Sequence, residues 1–255
     1  AVWKSRGIVP DGICGHSLGE YAAAVIAGVM LPETGIRLVH LRLQCLMEKG
    51  TSISSTGAMV AIRCSEKDAS RALSDVSGSE NCALAAVNGD NAIVISGERN
   101  VLDCVVKVLN CPTYKFLAVD YAYHSPLLRP AALLFQERFN DMLSRGEIAF
   151  TQPPVPIEFS STKSGGSISL ETLKSPSYWI EQMLNPVRFR DCIQAFSACL
   201  GTAQFIEIGP SDILSKQIQG SLGSNLPSGD FAGVVASLNA TSNPLDSFNN
   251  AIAVV

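Results

Sequence analysis

The sequence predicts an α/β fold in which a larger core is interrupted by a small βαββαβ unit. Three observations predict it. Gly15-His16-Ser17-Leu18-Gly19 stands between a short apolar stretch, Gly12-Ile13-Cys14, and a helix-prone run from Glu20 to Ala27 that stops at Gly28. This is the strand–turn–helix setting of a G-x-S-x-G nucleophile elbow, where a sharp turn lifts the serine hydroxyl clear of the sheet. Between residues 58 and 119 the pattern reads strand, helix, strand, strand, helix, strand, the split order of a ferredoxin-like unit. Finally, 255 residues with 47% hydrophobic and 16% charged composition suit one large buried domain carrying a smaller insert.

Val2 to Gly7 reads as the end of a helix, and Ile8-Val9-Pro10 leads into the elbow strand. An α/β domain with its nucleophile at position 17 is expected to have sheet and helix before it, so the chain reads as a fragment of a longer polypeptide. Glu33 to Lys49 has helical spacing with Ile36, Val39, Leu43, Leu46 and Met47 on one side, which on periodicity alone leaves Arg42 to solvent. A Ser/Thr loop follows at Thr51 to Thr56. The inserted unit opens with a strand at Ala58 to Ile62 and a helix at Ser65 to Val76, Ser65 serving as N-cap. Strands at Cys82 to Val87 and Asn91 to Ser96 are joined by the turn signal Asn88-Gly89-Asp90. A helix at Glu98 to Asn110 and a strand at Thr113 to Val119 close it. Helical pattern returns from Pro126 to Arg145, then an extended segment at Pro153 to Ser160 and a turn at Gly165-Gly166. Helices are expected at Pro176 to Leu184 and Phe189 to Leu200, and a strand at Gln204 to Ile208 ending in Gly209-Pro210. A short helix, a loop at Gly220 to Gly229, a strand near Val234 and a helix from Asn243 complete the chain. The division is a core of residues 1–57 and 119–255 and an insert of residues 58–118.

A formal net charge of −4 without a basic tract argues against nucleic acid and anionic membrane surfaces as main partners. The longest apolar run, Ala22 to Leu31, is too short to span a bilayer, and no leader pattern opens the chain. None of the eight cysteines forms a C-x-x-C pair, so a zinc site is poorly supported. Free, mostly buried thiols in a reducing cytosol are expected, which makes the location cytoplasmic.

A serine hydroxyl is a poor nucleophile until a base takes its proton, and histidine suits that task near neutral pH. The chain has three histidines. His16 points off the elbow beside the nucleophile, and His40 lies in an amphipathic helix as a surface or structural residue. His124 follows a strand and precedes a Ser125-Pro126 helix start, where α/β proteins place site residues. It is the best base by elimination, although a lone histidine between tyrosines is more often structural. An α/β-hydrolase triad needs a histidine near its C-terminal end, after the acid. No histidine follows His124, which favours a Ser–His dyad oriented by another group such as a backbone carbonyl.

An ordered set of motifs now carries a resemblance. It comprises Gly15-His16-Ser17-Leu18-Gly19-Glu20, Arg42 with Met47, Val87-Asn88-Gly89 with Val94-Ile95-Ser96-Gly97, Tyr121-Ala122-Tyr123-His124-Ser125, Tyr178-Trp179 with Asn185-Pro186-Val187-Arg188-Phe189, and Ile206-Glu207-Ile208-Gly209-Pro210. The chain resembles the malonyl-CoA:acyl-carrier-protein transacylase family, and within it the acyltransferase domains of type I polyketide synthases of the fungal iterative kind. The resemblance implies a hydrolase-like α/β core with a ferredoxin-like insert and a ping-pong transfer. Ser17 attacks the thioester of malonyl-CoA, His124 takes its proton, and the malonyl ester passes to the phosphopantetheine thiol of an acyl carrier protein. The N–H of Leu18 supplies half of the oxyanion hole. Arg42 holds the free malonyl carboxylate, a task that suits the guanidinium fork. His16, Asn88, Tyr121 and Tyr123 join Arg42 in the substrate-binding set. No bound cofactor is implied, and the partners are the carrier protein and neighbouring synthase domains such as a ketosynthase. Tyr123, directly before His124, fills the space an α-methyl would need and favours malonyl, while Tyr121 is the residue usual in methylmalonyl-selective domains. Two departures stand out. The family's glutamine motif upstream of the elbow, which gives the second oxyanion donor, does not occur here. One such donor is worth on the order of 3–4 kcal/mol, so the chain alone is expected to be nearly inactive. Ser211 also stands where the family often has histidine.

Overall fold

A computed structural model of the chain describes residues 2–50, 56–153, 158–200, 203–222, 231–239 and 242–254. Helix α1 (Val2–Ser5) leads to β1 (Gly12–Ile13), the elbow and α2 (Gly19–Ile26), followed by the long α3 (Pro32–Gly50). The expected βαββαβ order is present as β2 (Gly57–Ile62), α4 (Glu66–Asp75), β3 (Ala83–Gly89), β4 (Ala92–Glu98), α5 (Arg99–Leu109) and β5 (Tyr114–Phe116). Then come α6 (Arg129–Ser144), β6 (Glu158–Ser161), β7 (Gly166–Ser167), α7 (Pro176–Leu184), α8 (Phe189–Leu200), β8 (Ala203–Glu207), α9 (Ile213–Leu222), β9 (Phe231–Ala236) and α10 (Pro244–Val254). The fold is α/β. Parallel pairs, β1 with β6 and β8 with β9, belong to the larger part, and an antiparallel sheet of order β3-β4-β2-β5 forms the insert.

Local chemistry explains the element ends. Ser65 caps α4, its Oγ accepting from the Asp68 N–H at 3.1 Å. Asn110 ends α5 in a left-handed conformation, φ 46°. The hairpin turn falls at Asp90-Asn91 rather than Asn88-Gly89-Asp90, because Gly89 pairs with Ala92 after an irregularity at Val87/Gly89. Asn88 is thereby a strand residue. The strand expected through Val119 is shorter, ending at Phe116, and 119–125 is a loop. Helix α9 runs through Gly220 to Leu222, where a loop was expected to start. The Ser/Thr segment at 51–55 and most of the loop at 220–229 lie outside the described residues.

Core packing joins α2, α3, α6 and α7 around Trp179, which stacks on Tyr21 at 4.2 Å between ring centroids. The insert has its own apolar centre between its sheet and α4 and α5, built on Val60, Ile93, Ile95 and Leu102. A third cluster, including Met59, Ala85, Ala86, Val187, Phe189 and Ile218, glues the insert to α8 and α9. Fully burying one such aliphatic side chain is worth roughly 1.5–3 kcal/mol, so this seam is a substantial attachment.

The face of α3 differs from the periodicity reading. Ile36, Leu43 and Met47 are exposed, Ile36 by 69% and Met47 by 59%, while Leu38, Leu41, Arg42, Cys45 and Leu46 turn inward. The helix is rotated because its inward stripe contains a cation, which a hydrophobicity count assigns to solvent. The cysteines are also less buried than expected: Cys45 and Cys192 are buried, four are intermediate, and Cys104 and Cys199 are exposed. Among the described residues no helix is long and apolar enough to cross a membrane, and no group of three or more His, Cys, Asp or Glu side chains is placed to hold a metal.

Candidate active site

The elbow is built by backbone constraint. A Cβ on Gly15 would meet the carbonyl carbon and oxygen of Gly19 at 2.2 Å, so only glycine lets the chain fold back on itself there. A Cβ on Gly19 would meet nothing within 4 Å. Ser17 has φ 51° and His124 φ 57°. Apart from Asn110 at a helix end, they are the only described non-glycine residues with positive φ. Left-handed backbone costs such residues roughly 1–2 kcal/mol, and such strain gathers at functional sites.

The strain sets Ser17 Oγ 2.7 Å from His124 Nε2. On the other side of the ring, His124 Nδ1 lies 3.0 Å from the backbone oxygen of Asn185. A carbonyl only accepts, so Nδ1 carries the proton and Nε2 is left to accept from the serine. The orienting group is therefore a main-chain carbonyl at the end of α7. Burial pushes the imidazole down to about 3, with the nearby Arg42 guanidinium the next cause and the Asn185 carbonyl opposing. At neutral pH the ring is uncharged and able to take a proton.

Below the turn, Glu20 is fully buried. Its Oε1 accepts from the Thr162 N–H at 3.0 Å and the Tyr178 hydroxyl at 2.7 Å, and Thr162 Oγ1 donates to the Gly15 carbonyl at 2.9 Å. Burial raises the Glu20 carboxyl above its usual range, against the hydrogen bonds from Tyr178 and Ser161. These bonds pin the elbow to the β6–β7 segment and to α7.

Arg42 is only 4% exposed. Its Nη1 donates to Gln182 Oε1 at 2.8 Å, and Gln182 Nε2 donates to the Ser17 carbonyl at 2.8 Å. The guanidinium also lies 5.9 Å from the centroid of the Tyr21 ring. No carboxylate among the described residues forms an ion pair with it. A buried cation whose hydrogen-bond partner is a neutral amide is costly, and an incoming anion relieves that cost. The serine, the histidine and the guanidinium side by side can open an activated acyl group that bears a free carboxylate.

The remaining expected site residues lie on the elbow, on β3 and in the loop before His124. His16 is half-buried. Its Nε2 lies 2.8 Å from Asn88 Oδ1, and its ring meets Phe189 edge-on at 5.3 Å. The pair ties the elbow to β3. Tyr121 and Tyr123 are half-buried, with centroids 5.9 Å apart in an edge arrangement. Burial raises the Tyr123 phenol, and Arg42 counters it. Leu18 occupies the N-cap position of α2 in helical conformation, where first-turn N–H groups lack helical partners. Sequence reasoning missed Gln182, and it anticipated an orienting backbone carbonyl without locating it at Asn185. Gln182 had a signal, since it falls on the same helical face as Tyr178 and Trp179; the carbonyl had none.

The chain is similar to known proteins over nearly its whole length. The sequence model of the acyl transferase domain matches residues 1–246. The polyketide synthase GfsB of Streptomyces halstedii is 35% identical over 213 residues, 83% of this chain and 4% of that synthase. The mycoketide-CoA synthase of Mycobacterium tuberculosis is 33% identical over 220 residues, 86% of this chain and 5% of that protein. The chain thus spans a small fraction of the curated relatives it matches. Among solved structures, the acyltransferase domain from the second module of the salinomycin polyketide synthase superposes with a TM-score of 0.83 at 28% identity, over 98% of this chain and 55% of that one. A malonyl-CoA:acyl carrier protein transacylase from Xanthomonas oryzae gives 0.81 at 25% identity, over 99% and 74%. A type II polyketide synthase malonyl-transacylase, solved in complex with its acyl-carrier protein, gives 0.79 at 26%, over 98% and 76%. A strained serine elbow, a histidine on its hydroxyl, and sequence and structural likeness over nearly the whole length lead to one conclusion: the chain belongs to the acyl transferase domain family.

Proposed function

We propose that this domain moves a malonyl unit from CoA to the phosphopantetheine thiol of an acyl carrier protein through an ester on Ser17, within polyketide biosynthesis. The observation that carries the reading is the buried Arg42, ion-paired with no described carboxylate and held through Gln182 to the carbonyl of Ser17 itself. Ser17 Oγ attacks the thioester carbonyl while its proton passes to His124 Nε2. The Leu18 N–H donates to the oxyanion as it forms. The C–S bond breaks, and the proton on His124 goes to the departing CoA sulfur. The carrier thiol then gives its proton to His124, attacks the malonyl ester, and returns the proton to Ser17 when the ester C–O bond breaks. CoA and phosphopantetheine enter as donor and acceptor, so these steps call on no resident cofactor. Tyr123 borders the acyl position beside Arg42 and narrows it toward malonyl; His16 borders it from the elbow and Asn88 from β3. In this reading residues 1–57 and 119–255 form the catalytic core, 58–118 form the ferredoxin-like subdomain, and the carrier protein and a ketosynthase are the partners.

Incubation of the full-length polypeptide, with the upstream oxyanion donor present, with malonyl-CoA followed by intact-protein mass spectrometry is expected to show a malonyl adduct that Ser17→Ala abolishes. An adduct surviving Ser17→Ala overturns the assignment. Rapid release of free malonate without a carrier protein points to a hydrolase, and no adduct from any acyl-CoA points to a silent structural module.

A further inference from the structure

The carbonyl that orients His124 belongs to Asn185, an exposed residue at the C-terminal end of α7. Upstream it is held by its own N–H, which donates to Glu181 O at 2.8 Å. Downstream the chain leaves the helix, and its anchors lie in the ferredoxin-like unit. Val187 adds to β3 as a short parallel bridge opposite Ala86. Its N–H donates to Ala85 O at 2.9 Å, and its oxygen accepts from the Val87 N–H at 2.8 Å. The next residue, Arg188, reaches across the seam to Glu66 in the first turn of α4, at 2.8 Å and 3.3 Å to the two carboxylate oxygens. Arg190 adds a 3.0 Å bond to the same carboxylate, and Asp191 holds both guanidinium groups from behind. The far end of β3 reaches the elbow through Asn88 and His16.

We propose that Glu66, distant in sequence from Ser17 and His124, is a positioning residue for the dyad: by gripping Arg188 and Arg190 it keeps 185–188 seated on β3 and so fixes the carbonyl that sets the tautomer and tilt of His124. It acts through the backbone and touches no reacting atom. The inference rests on the Ser17–His124 reading but not on malonyl as substrate, and its test uses no acyl-CoA.

The first measurement, made on the polypeptide extended upstream to carry the second oxyanion donor, is the rate at which a fluorophosphonate labels Ser17. The second is the low-field Nδ1–H resonance of His124 in protein carrying 15N-labelled histidine, identified by its loss in His124→Ala. Glu66→Gln removes the charge but keeps the shape. It is expected to slow labelling about tenfold and to weaken or shift the Nδ1–H resonance. Glu66→Asp is expected to recover most of both. Ser65→Ala removes the cap of the same helix without touching Arg188. It is expected to lower the melting temperature while leaving the resonance and the rate near wild type. If Glu66→Gln leaves both readouts at wild-type values, or if Ser65→Ala shifts them equally, Glu66 is only structural and the inference fails. If Glu66→Gln does not fold, Arg190→Gln, which takes one guanidinium off the same carboxylate, is expected to slow labelling and shift the resonance by less than the loss of Glu66 would, and wild-type values for both overturn the inference. Unlabelled wild-type protein overturns the dyad and the inference together; labelled wild-type protein that refuses malonyl-CoA overturns only the substrate reading.

Discussion

The molecule holds arginines in two ways. Arg42, in the core, is almost sealed from water and has a neutral glutamine as its hydrogen-bond partner. Arg188 and Arg190, on the seam with the insert, are partly open to solvent and face three carboxylates, Glu66, Asp191 and Asp90. The second group is saturated, with its counter-charges supplied by the fold. The first lacks a counter-charge among the described residues, although it occupies the drier place. Such an arrangement favours pairing with an anion brought by a ligand, because desolvation already done by folding strengthens that pairing.

The sharpest way to break this comparison is Arg42→Ala. Truncating one partner of a desolvated charge pair costs roughly 2–5 kcal/mol. Measured on the polypeptide with its upstream segment restored, the ratio of kcat/KM for malonyl-CoA over acetyl-CoA is therefore expected to fall by about 30-fold to a few thousand-fold, with acetyl loading unchanged or improved. An unchanged ratio makes Arg42 an ordinary buried cation. Arg42→Lys keeps the charge but loses the two-pronged geometry, and about a tenfold drop in the same ratio is expected.

A second test uses pH. His124 sits well below its ordinary 6.5, through burial first and Arg42 second. The unfolded chain binds the proton more readily, so stability is complete above about pH 6.5 and falls as the solution is acidified toward about 3. The slope approaches, at most, about 1.4 kcal/mol per pH unit for one proton. Denaturant melts of wild type and His124→Asn between pH 4 and 7 are expected to differ by this component; parallel curves would show that His124 does not titrate on unfolding.

The saturated site is expected to respond weakly at its margin. Asp90 is half-exposed and lies 3.8 Å from Arg190, so Asp90→Asn is expected to cost no more than about 0.5 kcal/mol in thermal or urea unfolding. A loss several times larger would place Asp90 inside the clamp and erase the contrast between filled and spare charge.

How far the sequence reveals these features depends on where each signal resides. The elbow is local: two glycines, a serine and a following helix. His124 is found by elimination among three histidines, and the order of the insert follows from alternating strand and helix patterns. Arg42 runs against its own local pattern, because Ile36, Leu43 and Met47 outvote it while the fold turns that apolar side outward. Only the family resemblance placed it inside. The Asn185 carbonyl is invisible at sequence level, since every residue has one and only tertiary structure aims it. The clamp is equally hidden, because Glu66 meets Arg188 across 122 residues.

The two glycines of the elbow carry unequal information. The first is written into the backbone by a collision at 2.2 Å; the second has open space where a side chain would stand. A search pattern that insists on both gains little selectivity from the second, where the backbone itself leaves room for a Cβ. Weighted by geometry, the motif is a glycine, any residue, and a serine able to hold a positive φ, with the rest of the signature written in the helix behind it.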